Sequence, residues 1–199
     1  MGRILELIFT LFILILTFPL WIAIGILIKL ESKGPIFFTQ ERIGKDLKIF
    51  KIYKFRTMYI DQEERLNKYL EKNSFAKREW ETFRKLKSFD PRITKIGKIL
   101  RKFSLDELPQ ILNVIKGEMG IVGPRPYLKE EICDIPEEYY DIFKVKPGIT
   151  GPWQTSGRNK IKFSERIKIE RNYVTNRNFL KDFSYLFKTI NSIVNGDGI

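Results

Sequence analysis

The stretch LIFTLFILILTFPLWIAIGILI, residues 7–28, contains no charged side chain and a single proline, Pro19. As a continuous helix it would reach roughly 33 Å, which is long enough to cross the hydrocarbon core of a bilayer. A cleaved secretory signal is not favoured, because the apolar run is long, Arg3 is the only basic residue before it, and no small-residue cleavage site follows. The sequence therefore predicts that residues 1–33 form a membrane anchor.

Pro19 lies near the middle of this run, where it removes one backbone hydrogen bond and kinks or breaks a helix. The residues by themselves leave two outcomes open. A kinked helix can still span the membrane, which is the commoner outcome for an isolated proline; otherwise the break returns the segment to the face it entered. The flanking charges, Arg3 before the run and Lys29 and Lys33 after it, place the C-terminal part in the cytoplasm only weakly.

The rest of the chain, residues 34–199, is predicted to form one domain. The 199 residues are 43% hydrophobic and 14% aromatic, which is enough to bury a core. Residues 36–40 and 47–57 are rich in β-branched and aromatic side chains, and turn-forming residues 44–46 separate them. This pattern predicts a β-hairpin, with a bulge near Phe50 where the alternation is imperfect.

Most of the remaining domain is predicted to be helical. Residues 61–87 place apolar side chains at helical spacing among charged ones, which indicates a solvent-facing helix or helix pair. Residues 94–103 form a basic amphipathic helix, which suits a membrane surface and a core-packed position about equally. Helical spacing returns over residues 163–194. The predicted class is α+β, mostly helical, with amphipathic helices at a membrane interface.

The charge balance points to an anionic partner. The chain has 36 Lys and Arg against 24 Asp and Glu, a net charge of +12, which suits nucleic acid, anionic lipid or a phosphorylated substrate. Histidine is absent, so any acid, base or metal chemistry has to come from Asp, Glu, Lys, Tyr or the single cysteine, Cys133. One cysteine excludes an internal disulfide.

The segment RKFSLDELPQ, residues 101–110, places Asp106 beside Glu107. One interpretation is a capping box, with Ser104 as the N-cap and Glu107 reaching back to it. Pro109 conflicts with that helix, because it would lack a needed donor at the fifth position. A helix that begins at Pro109 and ends before Gly117 avoids the conflict and leaves both acids on the turn that leads into it.

Under either interpretation, Arg101 and the helix N-terminus are expected to favour the ionised form of Asp106, a competent nucleophile towards phosphorus. Glu107 is a candidate ligand for Mg²⁺, which would neutralise the charge of an approaching phosphate. Arg125 stands between two prolines in GPRP, a stiff loop suited to bidentate phosphate contact. Two further cations on Gly-rich loops, Lys146 and Arg158, are weaker candidates for phosphate binding.

Several motifs together resemble those of the bacterial sugar transferases, the monotopic phosphoglycosyl transferases. They are the proline-containing apolar segment, KFRTM (54–58), DPRITKIGKILRKFSLDELPQILNVIKGEMGIVGPRP (90–126), KPGITGPWQTSGRN (146–159), and the ER-x-x-x-E-x-x-Y pattern that begins at Glu165. The resemblance covers almost the full length, and the central motif is highly specific.

This resemblance implies transfer of a phosphosugar from a UDP-sugar to a polyprenyl phosphate such as undecaprenyl phosphate, with release of UMP in a ping-pong scheme. Asp106 matches the nucleophile, Glu107 the Mg²⁺ ligand, and Arg101 and Arg125 positions that contact phosphate or nucleotide. The resemblance also implies a re-entrant helix broken at Pro19. The implied location is the cytoplasmic face of the bacterial inner membrane, where the chain would meet membrane lipid and no nucleic acid; a homodimer is left open.

Two positions depart from the family pattern. Many relatives have Ser-Pro at the helix break, where this chain has Phe18 before Pro19. A serine hydroxyl can satisfy a freed carbonyl and phenylalanine cannot, although Thr17 offers a hydroxyl one position earlier. Glu170 stands where relatives usually have Asp, which puts a substrate or metal role there in doubt. The alternative function is a membrane-anchored basic protein that binds anionic lipid or nucleic acid without catalysis.

Overall fold

The computed structural model describes residues 2–83, 85–86, 89–157 and 161–196. It is an α+β structure that is mostly helical, which confirms the predicted class. The helices are α1 (Arg3–Glu31), α2 (Gln62–Lys72), α3 (Ser74–Phe83), α4 (Lys95–Lys102), α5 (Ile111–Lys116), α6 (Pro152–Thr155), α7 (Phe163–Thr175) and α8 (Phe179–Asn195). Short 3-10 segments cover Lys45–Leu47, Leu105–Gln110, Glu130–Asp134 and Glu137–Lys144.

The predicted hairpin is present and consists of strands β1 (Phe37–Ile43) and β2 (Ile49–Phe55). The strands pair antiparallel without interruption from Phe37 opposite Phe55 to Ile43 opposite Ile49. The expected bulge near Phe50 is therefore wrong, since Phe50 pairs directly with Arg42. A second sheet has two parallel strands, β3 (Gly120–Val122) and β4 (Gly148–Thr150).

The apolar N-terminal segment forms one helix, α1, with Pro19 inside it. The expected break at Pro19 therefore does not divide α1 into two helices. One proline removes a single backbone N–H donor, and the neighbouring turns keep their hydrogen bonds. Pro19 cannot donate a backbone hydrogen bond to the carbonyl of Ile15, four residues before it. The Thr17 hydroxyl does not donate to this carbonyl either. It donates instead to Ile13 O at 2.7 Å.

Most apolar side chains of α1 face outwards. Leu5 is 62% exposed, Ile15 is 74% exposed and Leu30 is 78% exposed, and the helix is long and apolar enough to enter a membrane. Its other face packs on the domain. The shared core contains Trp21, Ile24 and Ile28 of α1 with Phe55, Leu100 and Ile111 of β2, α4 and α5.

Charged side chains fasten both ends of α1 to the domain. At the N-terminal end, Arg3 Nη2 donates to Val114 O at 2.8 Å, a carbonyl in the last turn of α5. At the C-terminal end, the Glu31 carboxylate accepts from Lys95 N at 2.5 Å and Ile96 N at 2.8 Å, the first amides of α4. Each charge complements the helix terminus it meets, because carboxyl termini favour cations and amino termini favour anions.

The segment that carries the two acids matches neither sequence interpretation in full. Ser104 is left-handed, with φ 54°, and does not cap the following turn, so the capping box is wrong. The turn from 105 to 110 is instead a 3-10 segment that contains Pro109, and α5 begins at Ile111. Gly117 ends α5 with φ 82°, as predicted.

Candidate active site

The two acids lie beside a lysine of the hairpin. Lys54 Nζ is 2.6 Å from Glu107 Oε1 and 3.8 Å from Asp106 Oδ2. Strand β2 packs against the 3-10 segment that carries the acids, and this packing brings the lysine to both carboxylates. We call Lys54, Asp106 and Glu107 the carboxylate end of the site.

Asp106 is a buried carboxyl with only 9% of its surface exposed. The pKa of Asp106 is raised to about 6: burial is the largest cause and the charge of Glu107 adds to it, while Lys54 and Arg101 oppose the rise. The expectation that neighbouring cations would dominate is therefore wrong, because desolvation of the carboxylate outweighs them. A carboxyl with this pKa is still mostly ionised at pH 7.

Arg101 reaches the site from the last turn of α4. Its Nε donates to Thr57 Oγ1 at 2.9 Å, and its charge favours the ionised form of Asp106. Gly97 makes this approach possible, since a Cβ there would collide with the carbonyl oxygen of Thr57. The structure therefore brings Arg101 to the acids, as the sequence predicted.

Arg125 lies on the GPRP loop that follows β3. Its guanidinium carbon is 4.6 Å from the ring centre of Trp153, which is itself buried. The loop is held to β4 by two backbone hydrogen bonds, from Gly123 N to Thr150 O at 2.9 Å and from Gly148 N to Pro124 O at 2.8 Å. The stiffness predicted from the two prolines thus has a second source in the parallel sheet.

Glu170 supports the same loop from α7. Its carboxylate accepts from Arg125 N at 2.9 Å and from the hydroxyl of Tyr127, and no part of Glu170 is exposed. Burial raises the pKa of Glu170 to about 7. The doubt about a substrate or metal role at this position now has a physical basis, because the carboxylate is occupied in holding the loop.

The comparison with known families adds a match to the model for bacterial sugar transferases over residues 1–196. The chain belongs to the bacterial sugar transferase family. This result confirms the resemblance given by the central motif, and with it an enzyme of the phosphoglycosyl transferase class rather than a noncatalytic binding protein.

Three relatives illustrate the range of this sugar transferase family. The chain is similar to the exopolysaccharide production protein ExoY of Sinorhizobium fredii, at 44% identity over 88% of this chain and 77% of that protein. It is 40% identical to the undecaprenyl-phosphate galactose phosphotransferase of Salmonella typhimurium, over 100% of this chain and 41% of that protein. An Aeromonas hydrophila relative, UDP-N-acetylgalactosamine-undecaprenyl-phosphate N-acetylgalactosaminephosphotransferase, is 37% identical over 90% of this chain and 40% of that protein.

One predicted phosphate-binding cation of this sugar transferase, Lys146, is not part of the carboxylate end. Lys146 lies near the N-terminal end of α1: burial lowers its pKa, and the charged groups that act on it are Arg3, Glu6 and Lys45. Arg158 lies outside the described residues. Of the four candidate cations, the structure therefore places Arg101 beside the acids and Arg125 on the adjoining loop.

The sequence reasoning missed three cations of the site, Lys54, Arg42 and Arg166. Lys54 belongs to the KFRTM motif, and its place in that motif could have marked it as a candidate site residue. Arg42 is on β1, with Nη1 3.3 Å from Pro126 O, and Arg166 is on α7, with its guanidinium carbon 4.8 Å from the Tyr127 ring centre. Arg166 belongs to the ER-x-x-x-E-x-x-Y pattern, which was likewise a signal, whereas the position of Arg42 beside the GPRP loop depends on strand register.

The carboxylate end suits a magnesium ion that is shared with a substrate. Mg²⁺ in proteins is commonly held by one or two carboxylates together with phosphate oxygens. Glu107 has 30% of its side chain exposed and Asp106 is its neighbour, which is such a donor set. Among the described residues no group of three or more Asp, Glu, Cys or His could hold a metal, so substrate oxygens would complete the coordination.

Proposed function

We propose that this sugar transferase moves a sugar 1-phosphate from a UDP-sugar to undecaprenyl phosphate and releases UMP. This would be a first membrane step of glycan assembly. One observation carries the proposal: a buried carboxylate, Asp106, lies 3.8 Å from Lys54 and next to a second carboxylate, and the charge of Arg101 also acts on it. The names of the Salmonella and Aeromonas relatives, which specify undecaprenyl phosphate, support the same reaction.

In the proposed first step, an Asp106 oxygen attacks the β-phosphorus of the UDP-sugar. The new bond joins this oxygen to phosphorus, and the bond from that phosphorus to the bridging oxygen breaks, so UMP leaves with the electron pair. In the second step a phosphate oxygen of undecaprenyl phosphate attacks the same phosphorus and frees Asp106. The protein provides position and positive charge, the main requirements for phosphoryl transfer.

Lys54, Arg101 and Glu107 have separate tasks in this proposal. Lys54 and Arg101 keep Asp106 ionised against the effect of burial, and they offset the negative charge of the arriving phosphate. Glu107 would hold Mg²⁺, which when bound supplies further neutralisation of the phosphate oxygens. Arg125 would contact phosphate from the GPRP loop.

The attachment of α1 supports a re-entrant anchor. A helix that spans a bilayer has its ends on opposite sides of roughly 30 Å of hydrocarbon. Here Arg3 and Glu31, near the two ends, contact α5 and α4 of one domain. In our proposal both ends of residues 1–33 therefore lie at the cytoplasmic face of the inner membrane, where residues 34–199 form the catalytic domain.

Helix α8 fits the same membrane interface. It exposes a row of large apolar side chains: Phe179, Leu180, Phe183, Phe187, Ile190 and Val194. Exposed apolar patches of this kind mark contact surfaces, and lipid is the contact proposed here.

The reaction can be tested with the full chain in detergent, Mg²⁺ and a panel of UDP-sugars that includes galactose and N-acetylgalactosamine. We expect UMP release with the correct donor, and a phosphosugar mass adduct on Asp106, before any lipid is added. UMP that appears only after undecaprenyl phosphate is added would contradict the ping-pong scheme. The absence of UMP with every donor, with and without lipid, would contradict the proposed function.

The topology has its own test. A cysteine introduced at Gly2 should react with a thiol label supplied from the cytoplasmic side, as should the native Cys133, which is exposed on the domain and serves as the internal control. A residue 2 that is reached only from the periplasm would restore the spanning model.

A further inference from the structure

A buried asparagine joins the helix that follows the two acids to the strand that carries Lys54. Asn113 lies on α5, directly after the 3-10 segment with the acids, and none of its surface is exposed. Its side-chain Nδ2 donates to Lys51 O at 2.7 Å, and its Oδ1 accepts from Tyr53 N at 3.1 Å. Both partners are backbone groups of β2.

These two bonds lie on the edge of β2 that faces away from β1. Among the described residues β1 is the only partner strand of β2, and unpaired backbone groups are costly on an edge that other elements cover. The Asn113 amide donates to the C=O of residue 51 and accepts from the N–H of residue 53, as a residue of a neighbouring strand would. Asn113 therefore fixes the position of β2 along α5 as well as its distance from the helix.

The amide of Asn113 is itself held in one orientation. Its Nδ2 also donates to Glu118 Oε2 at 2.7 Å, so the oxygen and both N–H groups of the side chain are used. The main-chain oxygen of Asn113 accepts from Glu118 N at 3.0 Å and from Met119 N at 3.2 Å, where the chain turns after α5. A flipped amide would place an N–H against the Tyr53 N–H, which the hydrogen-bond network forbids.

The place of these bonds in β2 links Asn113 to the carboxylate end. Tyr53 immediately precedes Lys54, whose Nζ is 2.6 Å from Glu107 Oε1 and 3.8 Å from Asp106 Oδ2. Successive side chains of a strand point to opposite faces, so a shift of β2 by one residue along α5 would turn Lys54 away from the acids. The acids belong to the segment that leads into α5. Asn113 therefore holds the lysine and the acids in a fixed relation.

We propose that Asn113 is a positioning residue for the transfer reaction: it fixes β2 against α5 so that the Lys54 ammonium stays beside the carboxylates of Asp106 and Glu107. This inference rests on the proposed function, in which Lys54 offsets negative charge. Asn113 is fully buried and does not touch the substrate, so its effect passes through Lys54. An asparagine that only stabilised the fold would have no such link to Lys54.

The test is a double-mutant cycle on kcat/KM for UMP release at pH 7. It uses the full chain in detergent, Mg²⁺ and the UDP-sugar that the wild type accepts. Asn113→Ala removes all three side-chain bonds, and we expect a loss of about threefold to tenfold. Lys54→Met should lose on the order of tenfold. Because Asn113 acts through Lys54, the double variant should lose about as much as Lys54→Met alone, instead of the product of the two losses.

Val114→Ala is the matched control, since Val114 is the next residue of α5 and is equally buried. It should lower the urea midpoint of unfolding, because a core side chain is lost, while kcat/KM stays within about twofold of the wild type. All rates are compared at a temperature at which the urea curves show each variant to be folded.

A milder variant keeps the test informative where Asn113→Ala does not fold. In Asn113→Ser the hydroxyl can keep one of the two bonds to β2. We therefore expect a loss of about threefold in kcat/KM, which again disappears in the Lys54→Met background.

Losses that multiply when an Asn113 variant is combined with Lys54→Met would overturn this inference, as would wild-type kcat/KM in the single Asn113 variants. In both cases UMP release by the wild type leaves the proposed function standing. A wild type that releases no UMP from any donor, with and without lipid, contradicts the proposed function and this inference with it.

Discussion

The carboxylate end and the arginines beside the GPRP loop differ in their balance of positive and negative charge. At the carboxylate end the two acids share a lysine, 2.6 Å from Glu107 and 3.8 Å from Asp106, and Arg101 adds a second cation. Beside the GPRP loop, three arginines, which we call the arginine cluster, meet two acids, Glu131 and Glu170. The cluster consists of Arg42, Arg125 and Arg166, and their buried Nε atoms have no hydrogen-bond partner among the described residues. The first half is balanced without a ligand, whereas the second needs an anion to be balanced. The difference teaches that the cations and acids of the carboxylate end neutralise each other, while the arginine cluster keeps an excess of one positive charge.

The largest expected effect comes from removing the nucleophile at the carboxylate end. In Asp106→Asn we expect UMP release to fall by at least about 10³-fold, because an amide oxygen cannot form the covalent intermediate. Release is measured with saturating UDP-sugar and Mg²⁺. UMP release at the normal rate would reject Asp106 as the nucleophile.

The next effect concerns the support of the arginine cluster. Because the pKa of Glu170 is raised from 4.5 to about 7 in the folded protein, the folded state holds this proton more tightly than the unfolded state. Its contribution to stability is complete below pH 4.5 and is lost as the pH rises through 7. The shift corresponds to about 3 kcal/mol at most.

The free energy of unfolding of the wild type should therefore fall between pH 5 and pH 8 more steeply than that of Glu170→Gln, which has no proton to lose. Denaturant titrations in detergent at both pH values measure the difference. Glu138→Gln, at an exposed position, should keep the wild-type slope. Equal slopes for wild type and Glu170→Gln would show that Glu170 does not titrate in this range.

A smaller effect is expected when the lysine of the carboxylate end is replaced. Lys54 lowers the pKa of Asp106, so in Lys54→Met that pKa should rise above 6 by about one unit. The rate increases with pH as Asp106 ionises, so the acid limb of kcat/KM should move upwards by the same amount. At pH 7 the loss should be on the order of tenfold, because the phosphate also loses a cation. Lys51→Met, an exposed site on the same strand, should leave the profile in place.

The smallest effect concerns the support behind the carboxylate end. Glu31→Ala removes the acceptor for the first two amides of α4, the helix that carries Arg101, and should reduce the free energy of unfolding by about 1 kcal/mol. Lys33→Ala, at a neighbouring exposed position, is the control. Equal free energies of unfolding for Glu31→Ala and Lys33→Ala would show that the two hydrogen bonds of Glu31 do not stabilise α4.

Much of the fold could be predicted from local patterns. The hairpin, the basic helix over 94–103 and the end of α5 at Gly117 are set by nearby residues, and the structure confirms them. The helical pattern over 163–194 was right in kind but divides into α7 and α8, where Asn178 caps the second helix by accepting from Lys181 N at 2.9 Å.

The site was less predictable because long-range packing decides it. The acids and Arg125 stood out as motifs. Lys54 and Arg166 also lie in motifs, but strand register and helix packing decide that they reach the site, as they do for Arg42. Burial reversed the expected direction of the Asp106 pKa, since a sequence displays neighbouring charges but not solvent exclusion. The continuity of α1 at Pro19 likewise depends on the turns around it.

The fastening of α1 has a consequence for biogenesis. During translation α1 is made before its partners, since Lys95 follows Glu31 by 64 residues and Val114 follows Arg3 by 111. At roughly 5–20 residues per second, the N-terminal attachment waits on the order of ten seconds. In the proposed topology the helix would therefore meet lipid before either end is attached to the domain. The ribosome delivers the partner of Glu31 before that of Arg3, so the C-terminal end of α1 can be secured first.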